Sequence, residues 1–390
     1  MSKQELASLL GEGKLDRELA YALMRAPWEE VGELLLEAAS GLRDRHKGRD
    51  VSYSRKVFIP LTNLCRDLCG YCAYRKEAWD PGARTLTPSE VLRLAEFGKR
   101  AGCTEALFMT GERPEQRYGE AREQLRRLGY ATFIEYLRDM CELVAKKVGL
   151  LPHSNPGTMT MKEVSELKEV NASLGMMLEN VSERLCARGG PHERAPSKHP
   201  RARLATLENA GRLRVPFTTG ILVGIGETPE ELVDSLFAIK ELHGRYGHIQ
   251  EVIVQNFRPK PGTPMAGHPE PDRRYMLKAV ALARLILGGD VNVQVPPNLS
   301  YGYGEYLGAG INDWGGVSPV TLDYVNPEAS WPTIRELRAA TEERGHRLRH
   351  RLPVYPEFVV RKKEFLPKGL EEAIMRLAGP DGYARQEVVE

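Results

Sequence analysis

The chain has 390 residues, 42% hydrophobic and 28% charged, with a formal net charge of +2. That balance permits a sizeable soluble core and lacks the basic excess that nucleic-acid binders carry. The opening MSKQELASLLGEGKLDREL holds no apolar signal segment, and no stretch approaches the roughly eighteen uninterrupted apolar residues of a membrane helix. A cytoplasmic protein with no nucleic-acid partner and no membrane contact is therefore expected. The most apolar helix candidate, 278–287, is itself interrupted by Lys278 and Arg284.

Residues 1–50 read as a helical leader, with apolar residues at three- and four-residue spacing over 15–23 and 28–42. A repeating unit follows: a short apolar run, a loop and an amphipathic helix. Strands are predicted at 57–61, 105–110, 150–154, 172–178, 217–223 and 251–257, with weaker candidates at 291–295 and 311–315. Helix starts between them are marked by Thr87-Pro88-Ser89-Glu90, Thr160-Met161-Lys162-Glu163 and Thr228-Pro229-Glu230-Glu231, each a capping-box pattern. Strands alternating with helices predict an α/β fold with a parallel sheet, and the full count fits a (βα)8 TIM-type barrel over 51–330. Residues 331–390 are expected as a C-terminal extension on the barrel's outside, with helices near 333–344 and 369–377 and a frayed polar end.

Six cysteines are present, and three of them, Cys65, Cys69 and Cys72, crowd into one short loop after the first strand. In a (βα)8 barrel that loop lies at the C-terminal face, where active sites are built. A structural zinc site and a ferredoxin-type carrier each want four ligands, and no second pair exists. Three thiolates instead suit three irons of a cubane cluster and leave the fourth open to a small molecule. Gly70 lets the backbone approach such a cluster. Cys103, Cys141 and Cys186 are scattered and read as small buried apolar residues.

The spacing Cys65-Arg66-Asp67-Leu68-Cys69-Gly70-Tyr71-Cys72 resembles the signature of the radical S-adenosylmethionine (SAM) superfamily. The resemblance implies one [4Fe-4S] cluster whose open iron is chelated by SAM and whose electron cleaves SAM to a 5′-deoxyadenosyl radical. It places Tyr71 near the adenine, although simple packing over the loop is an equal reading. Thr110-Gly111-Glu112 stands where the family has Gly-Gly-Glu, so Gly111 and Glu112 are implied in SAM binding. Glu179, at the end of the fourth strand, is implied in holding SAM, and Gly220 and Gly224 of the fifth in seating the adenine. Facing the substrate, the candidates are His153 and Asn155 after strand three, Asn256 beside Gln255 and Arg258 after strand six, and Asn312, Asp313 and Trp314 in the last strand. Asp313 and His153 are the acid–base candidates.

Longer segments narrow the resemblance. Ser52-Tyr53-Ser54-Arg55-Lys56-Val57 leading into the cysteine loop, Pro152-His153-Ser154-Asn155-Pro156-Gly157, Ile311-Asn312-Asp313-Trp314-Gly315-Gly316 and Asp323-Tyr324-Val325-Asn326-Pro327-Glu328 are similar to the deazaflavin-forming family of the superfamily, in its CofG-type cyclising subunit. That resemblance implies a lyase closing the middle ring of a hydroxybenzyl–ribitylaminouracil adduct with loss of ammonia. It also implies a low-potential electron donor and a separate partner subunit that makes the adduct from tyrosine. Two rivals remain: another radical SAM barrel enzyme of biotin-synthase or menaquinone-pathway type, and a non-enzymatic iron–sulfur carrier.

Overall fold

The computed structural model describes Leu10, residues 15–300 and residues 302–385; most of the opening segment read for a signal (residues 1–9 and 11–14) and the last five residues, expected to fray, lie outside the described residues. Nine strands form one sheet: β1 Asp50–Thr62, β2 Glu105–Thr110, β3 Leu151–Asn155, β4 Ser173–Gly175, β5 Phe217–Val223, β6 Ile249–Asn256, β7 Asn292–Gln294, β8 Asp313–Val317 and β9 Arg347–Arg351. They run in the order β2-β3-β4-β5-β6-β7-β8-β1-β9, and β1 also pairs with β2, so β1 to β8 close into a parallel (βα)8 barrel.

The strands alternate as barrel strands must. Val57, Ile59 and Leu61 of β1, Ala106 and Phe108 of β2, and Val252 and Val254 of β6 face outward and are buried under the helices. The interior row is polar at its lower end, with Lys56 of β1, Glu105 of β2, Thr218 of β5, Glu251 of β6 and Gln294 of β7 lining a cavity. A (βα)8 barrel normally fills that space with branched apolar side chains; here polar side chains line a cavity instead.

All three helix starts read from the sequence are present as complete capping boxes, at Thr87, Thr160 and Thr228, and two more occur at Thr132 and Thr333. Each cap satisfies two orphan N–H groups and stabilises its helix by about 1 kcal/mol. The leader folds into Arg17–Arg25 and Trp28–Lys47, which pack on Pro229–Tyr246 and Arg273–Leu287. The two charges inside that last, otherwise apolar helix are explained by their partners. Lys278 Nζ donates to the carbonyls that end the first leader helix, Met24 O at 2.8 Å and Ala26 O at 2.6 Å, and Arg284 donates to Gly310 O at 2.8 Å and Val291 O at 2.7 Å.

The C-terminal extension departs from expectation. It does not only coat the outside: β9 pairs with the lower half of β1, Asp50–Ser54 against Arg347–Arg351, and so enters the sheet. The chain then turns under the barrel. Pro353 O accepts from Ser173 Oγ at 2.7 Å and from Gln250 Nε2 at 3.0 Å, and Tyr355 N donates to Gln250 Oε1 at 3.2 Å. These bonds tie the extension to β4 and β6 and close the N-terminal mouth, leaving the cavity open at the other end. No helix among the described residues is long and apolar enough to cross a membrane.

Candidate active site

The C-terminal strand ends surround a cavity of about 390 Å³ whose lining includes Cys65, Cys69 and Cys72. The loop carrying them is pinned by backbone bonds: Arg66 N to Glu112 O at 2.8 Å, Leu68 N to Arg194 O at 2.9 Å and Gly70 N to Pro191 O at 2.7 Å. Two N–H groups, Glu112 N at 3.1 Å and Asp67 N at 3.4 Å, donate to Cys65 Sγ. Such bonds favour a thiolate, whereas burial pushes the Cys65 thiol up to about 12. A bound metal cluster resolves that conflict, because coordination deprotonates the thiol outright. All six cysteines are free. A cubane takes one thiolate per iron, and the three thiols of this loop are donors of that type. The donor set therefore fits an iron–sulfur cluster.

Gly111 is explained by packing. A Cβ there would collide with the Leu64 carbonyl and with Cys65 Cβ, so only glycine lets β2's exit lie against the cysteine loop. Glu112 is buried in the cavity wall; its carboxylate accepts from Thr158 N at 3.0 Å and from Thr158 Oγ1, with Arg66 and Arg203 each 3.8 Å away. Glu179 sits in the left-handed backbone region at φ 65°, a costly conformation for a non-glycine residue that clusters at functional sites. It pairs with Lys198, and although burial raises its carboxyl, Lys198 and Arg203 outweigh that and hold it below the usual range. Tyr71 lines the same wall, its hydroxyl 3.0 Å from His192 Nε2. Gly220 accepts the Glu179 N–H at 3.1 Å, and a Cβ there would strike the Ile253 carbonyl. Gly224, at φ 94°, makes the turn after β5, and its N–H donates to Glu227 Oε1 at 2.7 Å. Neither glycine is among the residues that line the cavity.

His153 and Asn155 both face the cavity. The Asn155 amide fits with its nitrogen toward Gly175 O at 3.2 Å and His153 Nε2 at 3.0 Å. His153 Nδ1 then carries the proton and donates to Ser173 Oγ at 2.6 Å, which passes a bond on to Pro353 O. Burial depresses His153 to about 4, so the ring is neutral at pH 7. Asn256 lines the cavity, its Nδ2 donating to Leu299 O at 3.2 Å and its Oδ1 buried without a partner.

The Asn312-Asp313-Trp314 group is corrected. β8 begins at Asp313, so these residues lie at the barrel's N-terminal rim, away from the cysteines. Asp313 is fully buried in an ion pair with Arg351 and also accepts from Ser52 Oγ. Asn312 spends its amide on Arg284 Nη2 at 2.6 Å, Val293 N at 3.1 Å and Asn292 Oδ1 at 2.7 Å. Trp314 points into the helical layer and donates to Thr341 Oγ1 at 3.0 Å. None of the three lines the cavity.

The sequence reading missed Lys198 and Arg203 beside Glu179, and the polar floor of Lys56, Glu105, Glu251 and Gln294. For the floor a signal existed: Lys56 and Glu105 are charges at inward positions of otherwise apolar strands, where an unpaired charge is prohibitively costly. Lys198 and Arg203 sit in a loop-and-helix segment whose pattern does not distinguish them from surface charges.

Comparison with known proteins agrees with this geometry. The sequence matches the Radical SAM superfamily over residues 59–239. It is 55% identical over 336 residues to a 7,8-didemethyl-8-hydroxy-5-deazariboflavin synthase of Methanopyrus kandleri, a match covering 86% of this chain and 100% of that protein. The corresponding protein of Methanocaldococcus jannaschii is 48% identical, over 88% of this chain and 94% of its own length. An FO synthase of Streptomyces coelicolor is 45% identical over 96% of this chain, which spans only 44% of that longer protein. Among solved structures, the FeFe-hydrogenase maturase HydG from Carboxydothermus hydrogenoformans superposes with a TM-score of 0.73 at 17% identity, covering 96% of this chain and 89% of that one, a likeness of fold alone. Barrel, cysteine loop and near-full-length identity to the archaeal proteins agree, and the chain belongs to the 7,8-didemethyl-8-hydroxy-5-deazariboflavin synthase family of radical SAM enzymes.

Proposed function

We propose that this chain closes the deazaflavin ring system from the hydroxybenzyl–ribitylaminouracil adduct, with release of ammonia. The observation that carries the reading is the meeting of Cys65, Cys69 and Cys72 with a deep, partly polar cavity at the barrel's C-terminal face. When bound, one [4Fe-4S] cluster and SAM supply a carbon-centred radical that removes a hydrogen atom from the substrate. Cys65, Cys69 and Cys72 would hold three irons, and the Asp67 and Glu112 N–H groups fix the Cys65 sulfur. Tyr71 and Gly220 would bind the nucleoside part of SAM, and Gly111, Glu112 and Glu179 its amino-acid part, with Lys198 and Arg203 setting the charge of Glu179. His153 and Asn155 present a neutral hydrogen-bonding surface to the substrate, opposite Asn256. The closed lower mouth limits water, which a radical site must exclude, and positioning supplies the rest.

The reading includes a separate partner subunit that makes the adduct from tyrosine. The chain's match to less than half of the Streptomyces proteins, against nearly all of the archaeal ones, supports a second half that is fused in some organisms and separate in others. A low-potential electron donor and a cytoplasmic setting follow from the need to reduce and protect the cluster.

The test is anaerobic reconstitution with iron and sulfide, then reduction in the presence of SAM and the adduct. Fluorescent deazaflavin together with 5′-deoxyadenosine is the expected result. 5′-Deoxyadenosine from SAM without deazaflavin would assign the chain another radical SAM reaction, and neither product would reduce it to an iron–sulfur carrier.

A further inference from the structure

The cavity has two unlike ends. On the β1–β2 side its upper wall is Phe58, Leu107 and Met109, capped by Trp331 from the segment after β8. Trp331 stacks on Phe58 with 5.3 Å between ring centroids and 11° between planes. Its indole Nε1–H is buried and has no partner. A flat apolar wall with one unspent donor suits a phenol, whose ring stacks and whose oxygen accepts the bond.

One inward position lower on the same two strands, the character reverses. Lys56 Nζ meets Glu105 Oε1 at 2.8 Å, and Glu105 also accepts from Ser54 Oγ. Across the barrel Glu251 accepts from Thr218 Oγ1 at 2.9 Å and pairs with Arg351 at 3.3 Å. Gln294, 3% exposed, lines the same end with its side-chain carbonyl buried and unpartnered. Each cation there already faces a carboxylate. The floor therefore offers many donors and acceptors but little net charge, which suits an uncharged polyol and a pyrimidine imide rather than a phosphate.

We propose that the cavity takes its substrate in one sense only: the hydroxybenzyl ring against the Phe58–Trp331 wall, the ribityl-pyrimidine half on the Lys56–Glu105 and Gln294 floor. This rests on the deazaflavin-forming reading and adds the residues that set orientation. It leaves the join between the two halves, where the new ring closes, at mid-cavity.

The experiment titrates the reconstituted, SAM-loaded protein calorimetrically with two half-substrate probes, 4-methylphenol and 5-amino-6-(D-ribitylamino)uracil. Trp331→Ala is expected to weaken the phenol about tenfold and to leave the uracil within about twofold. Lys56→Met combined with Glu105→Leu, which strands no buried charge, is expected to do the reverse. If that double variant fails to fold, Gln294→Leu, which spares the ion pair, takes its place with the same expectation. A crossed pattern, an equal loss of both probes in either variant, unchanged affinities, or a wild-type protein that holds neither probe overturns the orientation. Deazaflavin formation by the wild-type protein, assayed in parallel, separates the two failures: its presence with a wrong probe pattern sinks only the orientation, whereas its absence sinks the underlying reading.

Discussion

Arg351, near the end of the folded chain, grips Asp313 at the first residue of β8 through two bonds, Nε to Oδ2 at 2.6 Å and Nη2 to Oδ1 at 3.0 Å. The same guanidinium reaches Glu251 of β6 at 3.3 Å. One side chain from β9 thus ties β8 to β6 beneath the cavity. Arg351→Met would leave two carboxylates buried without their cation, and removing one partner of such a pair costs about 3–5 kcal/mol. A fall of that size in urea-denaturation stability is expected. Asp313→Asn should also lose stability, while the folded fraction keeps its kcat; a collapsed kcat in fully folded Asp313→Asn would return Asp313 to the acid–base role that its position denies it.

The barrel itself was legible because its signal is local. Six apolar runs and three capping boxes place strands and helix starts without reference to anything distant. β9 was not legible, because Arg347-Leu348-Arg349-His350-Arg351 reads as an exposed charge run. Its charges are answered by Asp50, Asp381 and Asp313, partners far away in sequence. The misplacement of Asp313 has a related cause. Shifting the start of β8 by two residues, from 311 to Asp313, puts the whole Asn-Asp-Trp group at the N-terminal rim of the barrel instead of along the strand toward the site. The cysteine loop was legible as a unit because its three thiols, like the capping boxes, lie within a few consecutive residues, and the structure sets them on one cavity wall.

The cysteines divide into two classes that substitution should separate. Alanine at Cys65, Cys69 or Cys72 is expected to abolish bound iron and sulfide and with them SAM cleavage. Alanine at Cys141, which is buried behind the barrel wall 3.2 Å from Ser154 Oγ, should leave cluster content intact. Gly111→Ala belongs with the first class although it offers no ligand, since its methyl group would displace the Leu64 carbonyl and the loop beyond it. Iron and sulfide analysis after reconstitution distinguishes all of these, and a full cluster in Gly111→Ala would refute the packing argument.

Glu179 and Lys198 are expected to act as a unit. Lys198→Met leaves the buried Glu179 carboxylate without the partner that holds it ionised, and Glu179→Gln leaves the ammonium in turn. Each single change should weaken SAM about tenfold, or about 1.4 kcal/mol, with iron content unchanged. Equilibrium dialysis of SAM against the reconstituted variants measures this. Wild-type affinity in both variants would remove this wall of the cavity from the SAM site.

His153 gives the fold an acid sensitivity with a defined sign. Burial lowers the ring from its ordinary 6.5 to about 4, with Glu105 opposing the shift and Lys56 adding to it. Between those two values the unfolded chain binds a proton that the folded chain refuses, so stability rises with pH across that window. Acidification from neutrality toward pH 4 should therefore draw up to about 3 kcal/mol from this one residue, and below about pH 4 the loss should level off. His153→Gln gives up the bond to Ser173 and should be less stable at pH 7, yet its urea midpoint should fall less steeply between pH 6.5 and 4 than that of the wild type. Parallel slopes for the two proteins would mean that the ring is already protonated in the folded barrel, with Nε2–H donating to Asn155 Oδ1 while Nδ1–H still donates to Ser173 Oγ and Ser173 Oγ–H to Pro353 O.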